Sequence, residues 1–171
     1  QRVEALVAAH SGDDAAADRW LDRAEQVMLD DEGPDHIPIS EIEGRRGMLR
    51  ARRGKIAEAL QHLERAKAET RELPPQHIAV GYTLLREGTV HLLAGEKEQA
   101  VESLRPACAV LASDPEAQPL RECLANLASA YIDLGRSREA IATAKRGLAT
   151  AERSSAPDYR APGFYQVGHK R

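Results

Sequence analysis

Aromatic residues are scarce: one Trp, one Phe and four Tyr make up 4% of 171 residues. A sandwich or barrel of this length would draw its core from aromatic and β-branched side chains. Here Ala and Leu supply most of the 42% apolar content, which is a helix-former's composition. Cysteine is nearly as rare. Cys108 and Cys123 are the only two, not in a C-x-x-C arrangement, which excludes a disulfide-dense extracellular scaffold and leads us to expect two reduced core thiols in a cytoplasmic protein. No apolar run nears the roughly 20 residues that cross a bilayer, and no charged leader precedes a short apolar stretch, so a soluble chain is expected. The net charge is −3, without the basic excess that holds a polyanion. Neither nucleic acid nor a membrane is an expected partner.

Signatures of catalysis are missing as well. The six histidines, at 10, 36, 62, 77, 91 and 169, are never spaced to put two imidazoles on one helical face, so no zinc site is expected. Glu87 and His91 are four apart, but His91 stands in an inward column and is expected as a packed core histidine. The acidic stretch "LDDEGPDH" lacks the alternating acids and closing glutamate of a calcium loop, and reads as a solvated joint. There is no G-x-x-x-x-G-K-[ST] cradle for phosphate, and no Ser or Cys with a visible base. Neither an enzyme nor a bound cofactor or metal is expected.

What the chain does have is a repeat. Gly12, Gly54, Gly95 and Gly135 recur at spacings of 42, 41 and 40 residues. Five residues after each glycine stand Ala17, Ala59, Ala100 and Ala140; nine after stand Leu21, Leu63, Leu104 and Ala144; twelve after stand Ala24, Ala66, Ala107 and Gly147. Seven before stand Ala5, Gly47, Gly88 and Ala128. Offsets of five, nine and twelve share one face of an α-helix, so each glycine marks a helix-helix corner where positive φ ends the first helix. The small residues on either side let the two backbones approach closely. Proline-rich joints, "DDEGPDHIP", "LPPQ", "SDPEAQP" and "SSAPDYRAPG", separate the pairs. Helices are therefore expected near 1–11, 13–30, 38–53, 55–72, 77–94, 96–112, 116–134 and 136–153. A lone hairpin cannot bury its apolar stripe, so the hairpins are expected to stack as a right-handed α-solenoid of four repeats, about 1–35, 36–75, 76–114 and 115–153.

This pattern resembles the tetratricopeptide repeat (TPR) family. The fourth copy carries it best, through Leu124, Leu127, Ala128, Tyr131, Gly135, Ala140, Ile141 and Leu148; the third keeps Leu84, Gly88, Gly95, Ala100 and Ala107 but has His91 in the aromatic column. The second has Arg50 there. The period of about 40 exceeds the roughly 34 of the standard motif, and HEAT or armadillo units would suit that length. The small-residue columns and the "GPDH" joint instead resemble the longer, kinesin-light-chain-like TPRs also found in bacterial signalling proteins. The resemblance implies a non-catalytic protein-interaction module, the scaffold or sensor part of a larger bacterial signalling protein, with a structural or self-associating array as the alternative. That the chain opens at Gln1 already in helical pattern fits a segment of a longer protein.

The resemblance also implies that the first helix of each pair lines a concave groove. The columns two, six, nine and thirteen before the glycine then hold Arg45, Met48 and Arg52 in the second copy and Tyr82, Arg86 and Thr89 in the third. In the fourth they hold Glu122, Asn126, Ser129 and Asp133. Arg45, Arg86 and Asn126 share one column and would offer guanidinium forks to carboxylates and an amide to a peptide backbone. The Lys and Asn set that clamps a terminal carboxylate in chaperone-binding members is lacking. Nine acids between 13 and 35 precede a run of Arg45, Arg46, Arg50, Arg52, Arg53 and Lys55 without an acid, and the two blocks are expected to satisfy each other. Residues 154–171, with Tyr159, Phe164 and Tyr165, are expected as a tail or the remnant of a further helix.

Overall fold

The computed structural model describes residues 39–113 and 117–153, together with the helical positions Ala16, Arg19, Trp20, Asp22 and Arg23. The helices expected at 1–11 and, apart from those positions, 13–30, the anchor Gly12, the joint at 30–38 and the tail lie outside the described residues. Among those described there is no strand. Six helices follow one another: α1 (Ile39–Arg52), α2 (Ile56–Thr70), α3 (Ile78–Ala94), α4 (Lys97–Val110), α5 (Ala117–Asp133) and α6 (Ser137–Arg153). The chain divides into two compact units, Gln1–Arg71 with α1 and α2, and Glu72–Arg171 with α3 to α6.

Each hairpin turns in the same way. Gly54, Gly95 and Gly135 are the only described residues with positive φ, at 73°, 79° and 71°. Behind each, two backbone bonds close the preceding helix. Gly95 N–H donates to Leu92 O at 3.0 Å and Glu96 N–H to His91 O at 2.9 Å, and the same pattern recurs at Gly54 with Lys55 and at Gly135 with Arg136. Left-handed glycine followed by these paired bonds satisfies carbonyls that a helix end would otherwise leave bare. The turn thus needs no side chain, and the next helix can start two residues on.

The small columns do the packing. A Cβ placed on Gly88 of α3 would stand 2.5 Å from Leu104 Cγ and 3.2 Å from Ala100 O of α4. Gly47 of α1 lies against Ala59 and Leu63 of α2 in the same way, its Cβ position 3.1 Å from both Ala59 O and Leu63 Cγ. Ala59, Leu63, Ala66, Ala100, Leu104 and Ala107 are all buried. In the second unit Ala100, Leu104 and Ala107 join Leu85, Val101, Cys108, Leu111, Leu120, Cys123, Leu124, Leu127 and Tyr131 in one core spanning α3 to α6, which includes Ala140 of α6.

The thiols are not reduced as expected. Cys108 of α4 and Cys123 of α5 form a disulfide with Cα atoms 5.6 Å apart, within bridging range. Stacking one hairpin on the next turns the outer face of α4 onto the inner face of α5 and brings the two cysteines together. Bridged cysteines are the norm in oxidising compartments, so they lend no support to the cytoplasmic location. No described helix is long and apolar enough to cross a membrane.

Candidate functional site

The groove columns fall on both units. In the first unit, Arg45 and Arg52 of α1 are exposed and Met48 is half-buried. Arg45 Nε donates to Glu41 Oε1 at 2.7 Å, one turn back on the same face. On the side of α1 turned to α2 lies a buried carboxylate. Glu43, 4% exposed, accepts from Arg46 at 3.2 Å, pairs with His62 Nδ1 of α2 at 2.8 Å, and has Arg65 at 3.7 Å. Arg46 extends the chain of charges to Asp22 at 2.7 Å.

The acidic and basic blocks therefore meet at Arg46 and Asp22. Arg50 and Lys55 of the basic run also reach Glu58 of α2, at 3.4 and 3.2 Å.

In the second unit, α3 and α5 lie side by side as first helices of consecutive hairpins. Their contact on the candidate face is polar. Asn126 Nδ2 donates to Thr89 Oγ1 at 2.9 Å, and the Thr89 hydroxyl donates to Leu85 O at 2.8 Å. Asn126 thus spends one amide N–H on the helix pair, keeping a second N–H and a carbonyl oxygen for other partners. One turn back on α3, the Arg86 guanidinium stands 5.8 Å from the centre of the Tyr82 ring, a stacking that holds a flexible cation in one orientation. Ser129, Glu122 and Asp133 of α5 are exposed. The Asp133 carbonyl accepts from Lys97 Nζ at 3.4 Å. Tyr82, Arg86, Thr89, Asn126, Ser129 and Asp133 are thereby brought to one surface.

One residue of this surface escaped the sequence reading. Leu93 stands in the column two before Gly95, on the α3 face that carries Arg86 and Thr89, and is 54% exposed. Its column was the signal, since Arg52 and Asp133 occupy the same place in the other hairpins. It puts an apolar spot beside the polar ones.

His91 departs from its expectation. It is only partly buried, and its Nδ1 lies 2.6 Å from Glu96 Oε2 across the glycine turn. Glu87, its neighbour on the helix, instead accepts from Ser103 Oγ at 2.9 Å. No cluster of His, Cys, Asp and Glu able to hold a metal occurs among the described residues.

Residues 38–113 match the tetratricopeptide repeat family. Over this stretch, α1 to α4, the chain is similar to tetratricopeptide repeats. Among solved structures, that of BtubC (BKLC) from P. vanneervenii matches with a TM-score of 0.70 at 17% identity, over 92% of this chain and 65% of that one. At that identity the likeness is one of fold, an all-α TPR-type array of stacked helix hairpins, and the chain spans less than two thirds of that protein's length. No curated protein sequence matches it. Tetratricopeptide repeats generally mediate protein-protein interaction, and their fold is typically a non-catalytic scaffold.

Proposed function

We propose that the α3–α5 face of this array binds an extended segment of a protein partner. The Asn126–Thr89 bond carries this reading: it fixes two first helices side by side with Arg86, Leu93 and the free valences of Asn126 on the same surface. Such a face offers a bidentate donor to a carboxylate, an amide to a peptide backbone and an aliphatic contact to an apolar side chain. Glu122 and Asp133 favour a basic residue at the other side of the segment. In the first unit, Arg45, Met48 and Arg52 hold the equivalent columns of α1.

The longer repeat period supports membership of the kinesin-light-chain-like type, and with it a place as the scaffold or sensor part of a bacterial signalling protein. A second reading, an array that stacks on its own copies, has the exposed Ile141 and Leu148 of α6 in its favour. Sedimentation at several concentrations separates the two, because a stable monomer dismisses the second.

Selection of a random peptide library displayed on phage tests the groove directly. The wild-type chain is expected to enrich peptides with an acidic residue near an aliphatic one, and Arg86→Glu to lose or invert the acidic preference while its helicity stays unchanged. Identical consensus sequences from both proteins would dismiss the groove.

A further inference from the structure

Helix α5 is held on its neighbours by two specific contacts that lie one turn apart. Toward α4 it presents Cys123, which is bonded to Cys108, both sulfurs closed off from solvent. Toward α3 it presents Asn126, three residues on, whose Nδ2 donates to Thr89 Oγ1 at 2.9 Å. The second contact has little tolerance, because at a separation of about 3.6 Å such a pair is no longer hydrogen-bonded. A small shift of α5 therefore breaks it.

The joint between α4 and α5 accommodates the open bridge as well as the closed one. Leu104 O lies 3.4 Å from Cys123 Sγ, placed to accept from the thiol of the reduced residue. The column twelve before the turn glycine is buried in each described hairpin, as Ile42, Thr83 and Cys123, so a reduced Cys123 fits there as a small apolar side chain. Leu120, Leu124 and Leu127 of α5 share a core with Leu104 and Leu111 of α4 that does not depend on the bond. Opening the bridge thus leaves α5 docked but less closely held, and two separate thiols need more room than one bridge in an interior already filled.

We propose that Cys108 and Cys123 form a thiol–disulfide switch on the α3–α5 face, a regulation that rests on the segment-binding reading given above. In the oxidised chain α5 is fixed and Asn126 meets Thr89; once a dithiol has reduced the bridge, α5 shifts, the bond is lost and the face holds its segment less tightly. The exchange balances with the dithiol alone. One thiolate of the reductant attacks a sulfur of the bridge and displaces the other cysteine as a thiolate, which takes up a proton. The reductant's second thiol then attacks the mixed disulfide, so the two cysteines gain two electrons and two protons and the reductant leaves as a disulfide. Because both sulfurs are buried, attack waits on a local opening of the joint between α4 and α5.

The probe is the consensus peptide that phage selection yields on the oxidised full chain. Its affinity is expected to fall at least about fivefold when the chain is reduced with dithiothreitol, with helicity unchanged. Thr89→Val keeps the shape but removes the acceptor, and is expected to bind weakly in both redox states. Cys108→Ala, Cys123→Ala is expected to behave as the reduced chain with or without dithiothreitol. Equal affinity in the two states of the wild type overturns the proposal. So does a redox effect that Thr89→Val leaves undiminished, or a loss of helicity on reduction, which would make the bridge a staple of the fold.

A measurement without peptide separates failure of the switch from failure of the binding reading. The side-chain amide signals of Asn126 in the NMR spectrum, identified by their loss in Asn126→Ala, are expected to move when the wild-type chain is reduced and to stay in place in Thr89→Val, which has no bond to lose. Signals that stay in place in the wild type overturn the switch whether or not a peptide has been selected. Signals that move when no peptide can be selected support the switch and count against the binding reading instead.

Discussion

Replacing Gly88 by alanine sets two effects of opposite sign against each other. Alanine in a helix interior is favoured over glycine by about 1 kcal/mol, so on propensity alone the substitution stabilises. The new methyl would stand 2.5 Å from Leu104 Cγ and 2.9 Å from Leu104 Cδ2, with Leu104 itself 0% exposed and closed in on every side. Overpacking of this kind costs about 1–3 kcal/mol, and an atom pair so close, with nowhere for the leucine to go, belongs at the upper end. The balance is a net loss of about 2 kcal/mol, or about 4–8 °C in Tm for a chain of this length. Gly47 provides the internal comparison. Its nearest atoms are 3.1 Å away, so a few tenths of an ångström of movement suffice and Gly47→Ala should be close to neutral. Urea and thermal unfolding of the two variants measure the difference. A double-mutant cycle locates it: in a Leu104→Ala background the added methyl at position 88 meets no leucine, and Gly88→Ala should become stabilising. If Gly88→Ala is as stable as wild type, or costs the same with and without Leu104, close packing of α3 on α4 does not explain the glycine.

Other perturbations separate the remaining forces. Gly95→Ala should cost about 1–2 kcal/mol in urea unfolding through backbone conformation alone, because φ is 79° and nothing lies within 4 Å of the new methyl; Gly95→Asn should recover part of the loss. Glu43→Gln keeps the shape of the buried carboxylate but removes the charge shared by Arg46 and His62, and should lower the urea-derived stability at neutral pH by about 1–3 kcal/mol; an unchanged midpoint would show the network to be idle. Glu139 accepts a hydrogen bond from Arg136 Nε at 2.6 Å, and this bond, with the attraction of the guanidinium, holds its carboxyl below the ordinary Glu value. A lowered folded-state value adds stability above the unfolded pKa and loses it as pH falls through the folded one. Both groups are solvent-facing, so the readout is the Glu139 carboxyl titration by NMR, which Arg136→Gln should return to the ordinary range.

The helix hairpins were legible because they depend on properties carried by single residues. Positive φ favours glycine, and glycine stands at 54, 95 and 135; helices expected at 77–94 and 136–153 are observed as Ile78–Ala94 and Ser137–Arg153. Contacts between hairpins were harder to read. The pairing of Cys108 with Cys123 depends on how α4 and α5 cross, and their spacing of 15 residues fits a bridged or an unbridged pair equally. His91 was expected as a packed core histidine, but the glycine turn folds Glu96 back onto it. The candidate surface was partly legible: the column rule found Arg86 and Asn126, whereas the Thr89–Asn126 bond needs two helices from different repeats at hydrogen-bonding distance.

A repeat array holds together only through its neighbours, so its weakest interface limits its length. Between α4 and α5 the contact rests on Val101, Leu104, Cys108 and Leu111 meeting Leu120, Cys123, Leu124 and Leu127, with a covalent bridge in the middle. Closing a loop of that size restrains the unfolded chain by about 3 kcal/mol in the chain-entropy account, comparable to burying one large side chain. The equivalent columns of α6 hold Ala144 in place of Leu104 and Leu148 in place of Cys108, so a hairpin docked there would have less volume at one column and no bridge at the other. Anything that packs on that face would therefore be held less firmly than α5 is held on α4.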